Sequence, residues 1–140
     1  MAGARLHEVR VQHEVPFHDV DVLKVVWHGH YLKYFELART QLLRSIGLDA
    51  GDVIGASYQL MVSESRCRHI RPLRYGERFY VSAWLKESSH RLAVAFQIDE
   101  LASGDKCATG QTTLVTLDLD GRLLHRTPDL ILKRIHERRA

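Results

Sequence analysis

Two aspartates and three histidines crowd into the stretch FHDVDVLKVVWHGHYLKYFE, residues 17–36. Asp19 and Asp21 stand two positions apart, and His28 and His30 follow directly ahead of a helical pattern. Carboxylates and imidazoles are the side chains that move protons or attack carbonyl carbons near neutral pH. The backbone N–H groups at a helix start have no partners within the helix and carry partial positive charge. They form a ready site for an oxygen gaining negative charge, as an ester or thioester carbonyl does under attack. Asp21 or Asp19 would then attack the carbonyl carbon or activate a water.

Each residue also has an ordinary structural role open to it. Aspartate makes turns and caps helices, and a histidine at a helix start can be satisfied by backbone hydrogen bonds. Trp27, Tyr31 and Tyr34 suit core or pocket packing. The D-x-D and H-x-H pairs also offer metal ligands, but residues two apart in a helix face different ways, and the H-E-x-x-H spacing is missing. The expectation is no metal. No G-x-S-x-G elbow, strand-linked G-x-G-x-x-G or P-loop lysine is present, which removes several common enzyme classes.

The elements that must position these groups follow from periodicity. Gly29 to Ile46 reads as a helix, with Tyr31, Phe35, Ala38, Leu42 and Ile46 on one stripe, widened by Tyr34 and Leu43. Gly47 is its expected stop. Leu6 to Val15 reads as a strand ended by Pro16. Tyr58 to Ile70 reads as one long strand whose alternation changes phase near Glu64, which predicts a bulge or bend. Phe79, Val81, Ala83 and Leu85 share one strand face, and Leu92, Val94, Phe96 and Ile98 share another. Cys107 to Leu119 is a further strand, and Asp120-Gly121 signals a hairpin. Thr127-Pro128-Asp129 should open a short helix, with the threonine as cap and the proline in its first position. The fold class expected is α+β, an antiparallel sheet curled around one long helix. Exposed edge strands would be remedied by pairing with a second copy, so a homodimer at least is expected.

The 140 residues suit one domain spanning 1–140. A charge of +3 is too mild for a nucleic-acid protein and suits an anionic small ligand. The two cysteines, Cys67 and Cys107, lie far apart in sequence, which suggests a reduced, cytoplasmic setting rather than a disulfide framework. No apolar run is long enough to span a bilayer, and the N-terminus shows no signal-peptide h-region.

The segment FHDVDVLKVVWHGHYLKYFELAR resembles the active-site segment of the 4-hydroxybenzoyl-CoA thioesterase family of hotdog-fold proteins. Phe17, Asp19, Asp21, Val25, Val26, Trp27, His28, Tyr31, Phe35, Ala38 and Arg39 occupy matching places. The later RCRHIRPLRYGERFYV also looks like the family's second strand and turn, and the likeness covers nearly the whole chain. The resemblance implies a hotdog fold and acyl thioester hydrolysis, with coenzyme A or phosphopantetheine as part of the substrate and no cofactor beyond it. It implies Asp21 as the catalytic carboxylate, nucleophile or general base. It places the oxyanion contact at backbone N–H groups near His28 and Gly29, with Asp19 supporting and Tyr31 positioning substrate. It also implies a homodimer or homotetramer with sites at the subunit interface. Two residues depart from the pattern: Lys24 stands where glycine is usual and His30 where asparagine is usual. Lys24 is expected to alter the loop path, since glycine tolerates backbone angles that lysine does not, and His30 the bracing of the helix start.

On this reading His28 orients the water or the thiol leaving group. Arg66, Arg68, His69, Arg71 and Arg74 form the densest basic cluster. The arginines either meet carrier phosphates or an acidic acyl carrier protein, or simply solvate a strand face. Two rival functions remain: a hotdog dehydratase or hydratase on hydroxyacyl thioesters, and a non-catalytic acyl-thioester binder.

Overall fold

The computed structural model describes residues 5–49 and 57–137. In chain order the elements are β1 (Leu6–Glu14), α1 (Tyr31–Ser45), β2 (Gln59–His69), β3 (Arg78–Glu87), β4 (Leu92–Glu100), β5 (Lys106–Leu117), β6 (Leu123–Leu124) and α2 (Asp129–Glu137). Short 3₁₀ turns occupy Phe17–Asp19 and His28–His30. The strands form one antiparallel sheet in the order β1-β3-β4-β5-β2, with β6 added to β5. This is the expected α+β hotdog arrangement, a sheet wrapped around one long helix.

The apolar stripe of α1 explains the wrap. Tyr31, Tyr34, Phe35, Ala38, Leu42 and Ile46 are all buried, and they meet the alternate residues Phe79, Val81, Ala83 and Leu85 of β3 and Leu92, Val94, Phe96 and Ile98 of β4 in one core. The Phe35 and Phe96 rings stack at 4.6 Å, 8° from parallel. Burying each such ring stabilises the fold by about 1.5–3 kcal/mol. Gly110 of β5 lies opposite Phe96 in register. A Cβ there would sit 2.6 Å from the Arg66 carbonyl oxygen and closer still to the Phe35 ring. The glycine is therefore what lets the helix approach the sheet.

Most expected elements appear with ends shifted by a residue or two. The expected helix start at Gly29 falls in the 3₁₀ turn, and regular α geometry begins at Tyr31. Gly47 follows the helix, and the Leu48 N–H returns to the Leu43 carbonyl at 2.8 Å. The predicted phase change in β2 is a register shift against β5 between Val62 and Glu64. The Asp120-Gly121 turn joins β5 to β6, with Asp118 N–H donating to the Arg122 carbonyl at 2.9 Å.

One expectation fails. Thr127 does not cap α2, because its buried hydroxyl makes no hydrogen bond among the described residues. The Pro128 carbonyl instead accepts the first helical bonds, from the Ile131 and Leu132 N–H groups at 3.0 Å. Pro128 thus stands at the capping position itself, one place earlier than expected, and Asp129 opens the helix. No helix of the described residues is long and apolar enough to cross a membrane.

Candidate active site

The loop ahead of α1 folds back on itself. Val20 and Val26 form a β-bridge, and Val25 bridges Arg74 in the segment after β2. Val26 N–H also donates to the Leu73 carbonyl at 2.8 Å. At the tip, Lys24 N–H donates to the Asp21 carbonyl at 2.9 Å, and Asp21 N–H to the Val25 carbonyl at 3.0 Å. Asp21 Oδ1 accepts the Leu23 N–H at 2.8 Å, the local turn-making role open to any aspartate. Its Oδ2 makes no hydrogen bond among the described residues. Lys24 takes φ 65°, the left-handed conformation that glycine adopts freely. The expectation that lysine would redirect the loop is therefore corrected: the turn keeps a glycine-type path and carries the strain.

Asp19 does a different job. It is 1% exposed and accepts hydrogen bonds from Lys33 Nζ at 2.7 Å and the Tyr34 hydroxyl at 2.6 Å. Burial raises its pKa, but these two donors, with the Lys33 and His30 charges, outweigh that and hold the carboxyl below its ordinary value. Burial and the Asp19 carboxylate push the Tyr34 hydroxyl well above its usual range. Asp19 thus pins the loop to α1 from behind. It does not line the cleft, so it stands behind the site as a brace rather than against substrate. His30 belongs to the same brace, with Nε2 3.8 Å from Asp19 Oδ1.

In front of the brace a cleft of about 290 Å³ is lined by Asp21, Leu23, Val25, Val26, His28, Tyr31, His69, Ile70, Arg71 and Pro72. Four of the expected site residues, Asp21, His28, Tyr31 and Arg71, therefore meet in it, while Gly29 is not part of its lining. The His28 and Gly29 N–H groups open the 3₁₀ turn and have no acceptor among the described residues. A side chain at Gly29 would meet the Trp27 ring, which is exposed and would have to move aside. Tyr31 is buried, and its hydroxyl accepts the Leu73 N–H at 3.1 Å, which ties the cleft floor to the segment after β2.

The basic cluster does not hold together as one patch. Strand alternation sends Arg66 and Arg68 to the face of β2 away from the helix, while Cys67 and His69 take the helix side. Arg71 reaches the cleft edge but is bound by Glu77 at 2.9 Å, with Glu100 at 3.8 Å and Asp105 at 3.5 Å. Arg74 lies in the crossing segment, its N–H donating to Glu77 Oε1 at 2.6 Å. A single carrier-phosphate patch of Arg66, Arg68, Arg71 and Arg74 is thus absent from the described chain.

His69 is the cleft residue that sequence reasoning missed, having counted it only as part of a basic run. Its ring meets Tyr31 edge-on at 4.7 Å and His28 at 6.2 Å. Partial desolvation, then the neighbouring His28, lowers its pKa. Cys67 Sγ lies 4.0 Å from His69 Nδ1, and burial raises the thiol pKa. A raised thiol beside a lowered imidazole keeps both neutral, which disfavours a thiolate nucleophile.

A model of the thioesterase-like superfamily matches residues 15–135. The chain belongs to that superfamily. Acyl thioester hydrolysis is accordingly its activity class. A protein of Synechocystis sp. (strain ATCC 27184 / PCC 6803 / Kazusa), provisionally named an esterase, is 36% identical over 116 residues, covering 81% of this chain and 70% of the relative. A chloroplastic acyl-acyl carrier protein thioesterase of Arabidopsis thaliana is 30% identical over 86 residues, 61% of this chain and 44% of that protein. Among solved structures, a 1,4-dihydroxy-2-naphthoyl-CoA thioesterase from Synechocystis superposes with a TM-score of 0.80 at 21% identity, covering 93% of this thioesterase-like chain and 96% of that one.

Proposed function

We propose that the cleft hydrolyses acyl thioesters of a phosphopantetheine-type thiol, with Asp21 as its carboxylate and the His28 and Gly29 amides as its oxyanion contact. The observation that carries this reading is the meeting of three features. Asp21, whose Oδ2 has no partner among the described residues, and His28 line one cleft, beside the turn whose His28 and Gly29 amides have no acceptor among those residues. The amides would take the carbonyl oxygen as it gains charge, a contribution whose loss typically costs about 10²–10³ in rate. Asp21 would attack the carbonyl carbon and expel the thiolate to give a mixed anhydride that water then opens, or would take a proton from the attacking water. His28 would orient the water or protonate the departing sulfur. The relatives' names fit a shared thiol, since one names an acyl-CoA and another an acyl carrier protein.

The acting unit is a homodimer or homotetramer in a reducing, cytoplasmic setting. Support comes from the exposed edge strand β2, with Met61 and Val62 exposed, and from Leu23 and Ile70, which are exposed on the cleft lining, with Trp27 exposed against His28. Large apolar groups left open beside a site mark a surface that a partner covers. Light scattering behind a sizing column should give a multiple of the chain mass.

A panel of acyl-CoAs against carrier-protein esters of the same acids, read with a thiol-reactive dye, tests the function. Free thiol release supports hydrolysis. Loss of enoyl absorbance without free thiol would instead assign a hydratase, and ligand binding with neither signal would assign a binder.

A further inference from the structure

The sheet face turned away from α1 carries its own cavity, about 680 Å³ in volume, within the range of small-molecule sites (~300–1,000 Å³). The register builds it. One row across the sheet runs Trp84, Ala95, Gln111, Arg66, and the next runs Ser82, Gln97, Thr109, Arg68. The alternate row, Ala83, Phe96, Gly110, Cys67, faces the helix. Ala95 is small and 7% exposed, so the floor lies low between the Trp84 ring and the arginines of β2. Arg5 and Lys86 complete the wall.

The lining holds four cations, Arg5, Arg66, Arg68 and Lys86, and no aspartate or glutamate. Arg5 lies 3.8 Å over the Trp84 ring and pairs with Glu8 at 2.8 Å. Arg66 meets Glu64 at 3.2 Å, where both side chains are more than half exposed. Arg68 and Lys86 have no ion-pair partner among the described residues. On the floor, the Gln97 amide is held in place, accepting from Arg5 at 3.2 Å and donating to Asp99 at 3.0 Å. A second copy packed face to face would set the unpaired Arg68 and Lys86 against their equivalents, a like-charge contact that disfavours such packing. The concavity favours a small anion over a flat protein surface.

We propose that this outer-face cavity binds a phosphorylated nucleotide. Arg66 and Arg68 would receive the phosphates in charge-assisted hydrogen bonds, and Lys86 would add an unpaired charge. The Arg5-covered Trp84 and the Gln97 and Gln111 amides would meet the nucleoside. The site goes beyond the cleft reading, because the sheet separates the two faces.

Isothermal titration of the full chain with ADP tests it, with adenosine and pyrophosphate as partial probes. One saturable ADP per chain is expected, weaker pyrophosphate binding, none for adenosine, and an affinity that falls as salt rises. Arg68→Glu and Lys86→Glu should each weaken ADP about tenfold or more, with unchanged circular dichroism. ADP that raises KM for an acyl-CoA identifies the nucleotide as the substrate's own, while an unchanged KM identifies a free nucleotide. Absence of ADP binding at millimolar concentration, or binding indifferent to both variants, overturns the proposal. So does an acidic carrier protein that binds this face where ADP does not, or a change of oligomeric mass in Lys86→Glu without ADP binding. Turnover of an S-acyl-N-acetylcysteamine thioester, which has no phosphate, reports on the cleft alone and separates failure here from failure there.

Discussion

Replacing Asp19 with alanine removes the pin between the loop and α1 while leaving Asp21 and the free amides untouched in sequence. Its cost can be worked from the contacts. The Tyr34 hydroxyl is buried and donates to Asp19 at 2.6 Å, and a hydrogen bond to a charged group contributes about 1.5–3 kcal/mol. Lys33 is 49% exposed, so solvent screening leaves its pair only about 0.2–1 kcal/mol. The sum is about 2–4 kcal/mol, or a Tm drop on the order of 10 °C in a chain of this size. Asp19→Asn keeps an acceptor for Tyr34 and should cost about half as much. The pH dependence has a definite sign. The Asp19 pKa is depressed in the folded state, so its contribution is present above the unfolded value near 4 and disappears as pH falls through the lower folded value. The assay is chemical denaturation of wild type, Asp19→Ala, Tyr34→Phe and the double variant, at neutral pH and in steps below pH 5. A coupling energy of about 1.5–3 kcal/mol between the two sites is expected. A cost under about 0.5 kcal/mol, additive double-variant energies, or a wild-type advantage that grows with acid would refute the reasoning.

Gly110→Ala should destabilise the protein by about 1–3 kcal/mol, because the new methyl meets the Arg66 carbonyl and the Phe35 ring. Denaturant midpoints measure this, and a neutral result would mean that the helix is not held against the sheet at this point. Lys24→Val should cost about 1–2 kcal/mol, since a β-branched residue resists the φ of 65° at that turn, while Lys24→Gly should be tolerated. Equal melting temperatures for the two would contradict the loop geometry. The His69 ring should titrate below the ordinary histidine value and move up in His28→Gln, because the His28 charge is part of what lowers it. Histidine NMR shifts against pH read this directly, and an unmoved or lowered His69 pKa would separate the two rings.

Much of this molecule was legible in the chain. The α1 stripe from Tyr31 to Ile46 fixed the one helix that needs a sheet around it, and its members are buried except Leu43, which is half-buried at the margin. The phase change near Glu64 located the β2 register shift, since side chains alternate with a strict period of two. Thr127 misled because capping depends on where a hydroxyl points, which residue type does not specify. Asp19 and Asp21 looked equivalent as a D-x-D pair, and only the tertiary placement of Lys33 and Tyr34 separates the brace from the cleft carboxylate. The arginines read as one run, but alternation and three carboxylates around Arg71 divide them among different surroundings. The same alternation, applied to Cys67 and His69, was the available signal for the missed cleft histidine.

The central claim is that Asp21 performs the attack on the thioester, directly or through water. Asp21→Asn preserves an acceptor for the Leu23 N–H that now binds Oδ1 at 2.8 Å, so the turn should survive, as circular dichroism can verify. Single-turnover thiol release on the best acyl thioester of the panel should then fall by about a hundredfold or more. Release near the wild-type rate in the folded variant would contradict the account.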